Sequence, residues 1–230
     1  MRIIPIDSGA PITFQHYLTK VYRWMALGLF ITGLVSYTVA SSPLLTALIF
    51  GNSTVFILSL IVEVAAVTFL AARVDRLSDG VARIIFILYS LINGITLSAV
   101  FTAYTEGSIA SMFFTACVVF AAMSLYGYFT RTDLTSVGNI MLMGLLGVVV
   151  ASVMNMFLHN SVVEQATVVI GVVAFVALIA VDTQKLKDLA NGEAEWNTKR
   201  AIVGALALYL DLVNLFILLL RLFGKRRNDW

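Results

Sequence analysis

Charge is what this chain has least of. Only 12% of its 230 residues are Asp, Glu, Lys or Arg, 60% are hydrophobic, and the mean hydropathy is +0.95. Soluble domains carry about 25% charged residues, so a soluble domain is excluded and a polytopic membrane protein is expected. There is a single cysteine, Cys117, which excludes an intramolecular disulfide. Lying in an apolar stretch, it is expected as a small packing residue. The two histidines, His16 and His159, fall outside the apolar stretches, and a lone loop histidine makes no metal site. The net charge of +2 comes from short basic clusters at the ends of apolar runs, which offers no surface to nucleic acid. No signal peptide is expected, because the first apolar run is long and many more follow it.

Seven stretches approach the roughly 20 apolar residues that a bilayer core requires. They cover 24–40, 54–72, 84–104, 108–129, 139–158, 166–184 and 201–220. The short apolar run 44–50, cut off by Gly51-Asn52-Ser53, is expected as an outer interfacial segment. The connections are too short to hold a soluble domain. The expected architecture is an all-α polytopic membrane protein. It has a cytoplasmic N-terminal arm over 1–23, seven transmembrane helices within 24–222 and a short basic tail over 223–230. Gly28 with Gly33, and Gly144 with Gly147, are expected at close helix contacts.

Lys and Arg set the orientation. The N-terminal arm holds Arg2, Lys20 and Arg23, and the even-numbered connections hold Arg73, Arg76, Arg83, Arg131, Lys185, Lys187, Lys199 and Arg200. The first, third and fifth connections have no Lys or Arg, only Glu106, His159 and Glu164. The N-terminus is therefore expected inside. Arg221, Lys225, Arg226 and Arg227 follow the seventh span on what parity makes the outer side. A re-entrant last segment would return them inside, but no Gly or Pro interrupts 205–223. That length favours a full crossing and leaves the side of the tail open.

Three acids interrupt the apolar runs: Glu63, Asp182 and Asp211. A carboxylate within a span is costly and marks an ion, proton or substrate pathway. Counting from the inner helix ends places Glu63 and Asp211 about 15 Å deep, and Asp182 near the inner face beside Lys185. Two layers are expected: Arg73 with Asp182, and Glu63 with Asp211, toward which Arg221 could snorkel. In the last span Gly204, Ala207, Asp211, Asn214 and Leu218 form a small and polar stripe at helical spacing. Gly171, Ala174, Leu178 and Asp182 form a similar line on the sixth. The two acids differ in estimated depth by about 11 Å, so contact requires the sixth helix to continue past Lys185. If they meet, the pair shares a proton and titrates as a unit. Without that proton it offers two hard oxygen donors suited to Ca²⁺. The plainer alternatives are a solvated helix-end Asp182 and hydrogen-bonded structural roles for Asp211 and Glu63. Asn93, Asn155 and Asn214 are expected as interhelical hydrogen-bonding groups, with Asn93 and Asn214 as secondary lining of the pathway.

The stretches GITLSAV (94–100), AVDTQKL (180–186) and ALYLDLVNLFILLLRLFG (207–224) closely resemble the transmembrane BAX inhibitor motif family. The resemblance covers nearly the whole chain. It implies six helices around a central hydrophobic seventh and a pH-sensitive Ca²⁺ leak channel of the bacterial inner membrane. It matches the family's paired aspartates to Asp182 and Asp211 and its basic latch to Arg73. No cofactor is implied beyond Ca²⁺ as the transported ion. Some relatives resemble modulators of membrane quality-control proteases, which makes a membrane protease partner the alternative reading.

An enzyme is not expected. Intramembrane aspartyl proteases use a Gly-x-Gly-Asp motif, whereas Ile179-Ala180-Val181 precedes Asp182 and Leu208-Tyr209-Leu210 precedes Asp211. A retinal protein needs a lysine in its last span, and 201–220 contains none.

Overall fold

The computed structural model describes residues 14–51, 53–73, 76–191 and 198–227. The chain runs through α1 (Phe14–Ala40), α2 (Pro43–Phe50), α3 (Ser53–Arg73), α4 (Asp79–Ala103), α5 (Glu106–Phe129), α6 (Thr135–Leu158), α7 (Ser161–Asn191) and α8 (Thr198–Phe223). Much of the expected N-terminal arm, 1–13, lies outside the described residues, and the rest of it opens α1. The run 44–50 forms the short helix α2, started by the Ser42 hydroxyl accepting from Leu45 N with Pro43 in the first turn.

Local chemistry sets the other ends too. Ser78 caps α4 and Thr105 caps α5, each through its hydroxyl, with Asp79 and Glu106 in the following first turns. At the far end of α6 His159 turns left-handed, with φ 49°, and the Asn155 side chain accepts from Asn160 N across that turn. Asn155 thus closes a turn and does not bridge two helices.

Among the described residues six helices are long and apolar enough to cross a membrane, and Ile57–Leu70 within α3 is a shorter apolar stretch. α8 is the most buried of them, enclosed all round, and packs against α1, α3, α4, α5 and α7. α6 lies at the periphery on α7 and turns Ile140, Met143, Leu146 and Val150 outward. Gly144 and Gly147 share this outward position, where an added Cβ would meet nothing, so they make no helix contact. Gly28 does, since its Cβ would press on Phe86, whereas Gly33 faces open space. Cys117 is half-buried against the core.

The two ends of the bundle are distinct. At one, Tyr17 Oη donates to Arg200 O and Lys199 Nζ to Leu77 O, joining the starts of α1 and α8 to the α3–α4 connection. At the other, Thr105 N donates to Lys225 O and Arg227 N to Ala103 O, so the basic segment after α8 pairs with the α4–α5 turn. Arg221 binds Glu164 at 3.2 Å and Arg227 approaches Glu106 at 3.8 Å. At 26 residues, α8 is about 39 Å long and continuous, so it does not turn back.

Candidate ion site between α7 and α8

α7 continues past Lys185 to Asn191, as contact between the two acids requires. Two glycines fix its register on α8. A Cβ at Gly204 would come within 2.5 Å of Leu186, and one at Gly171 within 2.9 Å of Leu218. Antiparallel packing through those points sets Asp211 level with Leu178 and Ile179. Asp182 then lies about one turn away, roughly 5 Å along the axis, not 11 Å. The charges that act on Asp211 are Asp182 and Lys185.

The segment around Asp182 is clamped from the other sides. Gly127 of α5 lies against the Ala180 backbone, and Gly138 of α6 against Val181. Thr183 Oγ1 donates to Ser124 Oγ at 3.3 Å. Gln184 accepts from Leu134 N and donates to Thr132 O, both at 2.8 Å, tying α7 to the α5–α6 connection. With its neighbours held by α5 and α6, Asp182 is left for α8 and for Lys185. Its side chain is 20% exposed, and its Oδ1 accepts from Lys185 Nζ at 2.8 Å.

Asp211 is in a different condition. The residue is 5% exposed, and its Oδ2 is enclosed with no hydrogen-bond partner among the described residues. An unpaired polar atom in such a place is expensive unless a proton or a cation satisfies it.

The other sequence-derived positions fall elsewhere. Arg73 is exposed at the end of α3, which packs mainly on α4, while Asp182 pairs with Lys185. The Arg73–Asp182 layer is therefore absent from this conformation. Arg221 does not reach toward Glu63, because Glu164 at the start of α7 takes its guanidinium at the bundle's end. Nor does Glu63 meet Asp211. It accepts from Thr96 Oγ1 at 2.6 Å. Asn93 Oδ1 accepts from Tyr209 Oη at 2.7 Å, and Tyr209 Oη lies 2.6 Å from Thr32 Oγ1. The reason is angular: residues two apart on a helix point about 200° apart. Tyr209 therefore faces α1 and α4 while Asp211 faces α7. Asn93 joins two helices, whereas the Asn214 amide donates to Leu210 O of its own helix.

Sequence reading did not assign Gln184, Tyr209 or Thr96, and it set Lys185 beside Asp182 without pairing the two. Each carried a signal: Gln184 and Lys185 adjoin Asp182, Tyr209 precedes Asp211 by two, and Asn93 with Thr96 has same-face spacing.

The described residues include no group of three or more His, Cys, Asp or Glu side chains fit to hold a metal ion. Residues 14–228 match the sequence family described as "Inhibitor of apoptosis-promoting Bax1". The chain belongs to this family. It is 44% identical over 217 residues to the inner membrane protein YbhL of Escherichia coli K12, covering 93% of each chain. It is 41% identical over 218 residues to protein RP147 of Rickettsia prowazekii, with 93% of this chain and 91% of that one covered. A Borreliella burgdorferi protein is 38% identical over 218 residues, 94% of each. As a member of the Bax inhibitor family the protein is an all-helical membrane protein, and the Asp182 and Asp211 segments both lie within the matched region.

Proposed function

We propose that this protein is a pH-sensitive cation leak, with Ca²⁺ as the transported ion, gated by protonation at Asp182 and Asp211. In this reading α3 completes seven crossings around a central α8. The membrane is the bacterial inner membrane, as the name of the YbhL relative suggests, and the N-terminus is cytoplasmic.

The observation that carries the reading is the buried, unpartnered Oδ2 of Asp211 one turn from a second carboxylate. A proton on the pair satisfies that oxygen and keeps the site neutral. Its loss leaves two carboxylates about one turn apart along the α7–α8 seam, hard oxygen donors of the kind a divalent cation prefers. Lys185 supplies the compensating charge on Asp182 when no cation is present.

The test is Ca²⁺ entry into liposomes holding the purified protein and a Ca²⁺ dye, from pH 6 to pH 8. Wild-type flux should vary with pH, and Asp211→Asn and Asp182→Asn should each flatten that response. Wild-type flux equal to empty liposomes at every pH would end the leak reading and favour the protease-partner role.

A further inference from the structure

A cavity of about 510 Å³ lies away from the α7–α8 seam, bounded by α1, α4, α5 and α8. That volume is typical of ligand sites, which run from about 300 to 1,000 Å³. Its walls include Leu29, Leu97, Ile109, Phe113, Leu212 and Phe216. Polar groups are few, and apart from Tyr37 on α1 they lie toward its two ends. Thr32 lies deep inside, where its hydroxyl already donates to Ser90 O at 2.9 Å, and Ser41, Glu106 and Arg227 stand at the mouth. Among the lining residues no carboxylate lies deeper than Glu106, so a cation finds no counter-charge inside, and a water finds few partners.

We infer that this cavity takes one acyl chain of a bilayer phospholipid, with the phosphate held at the mouth by Arg227. Depth supports the chain. From Ser41 at the mouth to Leu29, the deepest lining residue of α1, is twelve residues of rise, about 18 Å, a little over half of a roughly 30 Å hydrocarbon core. The site thus spans one leaflet. Its flanks, α1 and α5, each pack on α8 and not closely on one another, so the cavity opens sideways to lipid between them. Room inside is shown by Gly33, whose added Cβ would meet nothing within 4 Å.

Charge supports the headgroup. Arg227 is half-exposed and donates to Phe101 O, and its ion pair with Glu106 is long at 3.8 Å with Glu106 85% exposed. Such a pair holds little energy, and a phosphate offers the guanidinium a stronger bidentate partner. The exposed Lys225 adjoins it. This site is independent of the aspartate pair and of any flux.

The test is photo-crosslinking of the full chain in nanodiscs of phosphatidylglycerol containing a trace of the same lipid with a diazirine at mid-chain. Labelled residues are mapped by mass spectrometry. We expect labels on Leu97, Phe113 and Phe216, and their loss in Gly33→Phe, which fills the cavity. Labels on Met143 and Leu146 of outward-facing α6 should persist in that variant, which also reports that it is folded. Ala110→Leu narrows the same cavity from α5 and should act alike if Gly33→Phe fails to assemble. Arg227→Gln should reduce wall labelling. Wall labels that are absent, or that survive both filling variants, overturn the site and leave only ordinary lipid contact. Labelling by a diazirine fatty acid but not by the phospholipid overturns the assigned ligand.

Discussion

Lys185 is a cation that bears on both acids near the α7–α8 seam. By count it is one more inner-end cation; in the fold its ammonium sits 2.8 Å from Asp182 and acts on Asp211 as well. In the proposed leak it occupies the place on Asp182 that a permeating cation would need, and would compete with that cation. The contact is half-exposed and worth at most about 1 kcal/mol, or about a fivefold change in binding. Lys185→Met should therefore tighten apparent Ca²⁺ affinity by up to about fivefold, read as a leftward shift of the flux–concentration curve at fixed pH. An unchanged or rightward curve would remove Lys185 from the competition. Asp182 and Asp211 were legible as acids because a carboxylate stands out in an apolar run. Their partners were not, because pairing depends on how far α7 continues and on which face each side chain leaves, and depth counting supplies neither.

α8 works as a two-sided element. Its Asp211 face meets α7 across small residues, and its Tyr209 face joins α1 and α4, where Thr96 of α4 in turn holds Glu63 of α3. Phe86 and Tyr89 set their rings edge-on to Tyr209 at 6.2 and 5.8 Å, which fixes its hydroxyl between Asn93 and Thr32. Tyr209→Phe keeps the ring and leaves Asn93 short of a donor in a buried place, at a cost of about 1–3 kcal/mol. We expect a lower thermal midpoint in detergent with the pH response of flux retained. A flattened response at unchanged stability would instead make the Tyr209 face part of the gate. The helices themselves were readable from apolar runs and their polar interruptions. Which small residues face a neighbour was not: Gly138 meets Val181 while Gly144 and Gly147 meet nothing, yet their spacing looks alike. Lipid and a packed helix accept the same small, apolar side chains, so composition alone does not separate a seam from an outer face.

At the scale of the whole molecule, charge is sorted by end. The connections without Lys or Arg sit with the basic segment after α8, and the acids among them are already engaged: Glu164 with Arg221 and Glu106 with Arg227. Two of the four basic residues at this end, Arg221 and Arg227, thus have an acid beside them where the inside-positive pattern would leave few cations. Backbone bonds also tie that segment to the α4–α5 turn, which a re-entrant α8 would forbid. Cysteine accessibility tests this directly, because the one native thiol can be removed as Cys117→Ala. In that background Lys225→Cys and Asn160→Cys should react with a membrane-impermeant maleimide in intact spheroplasts. Ser78→Cys and Leu189→Cys should react only after permeabilisation, since both lie at the end where α1 and α8 begin. If Lys225→Cys and Leu189→Cys were labelled from the same side, α8 would not cross the bilayer. The 26-residue helix would then have to break in its native membrane, and the pairing of Arg227 with Glu106 would be lost with it.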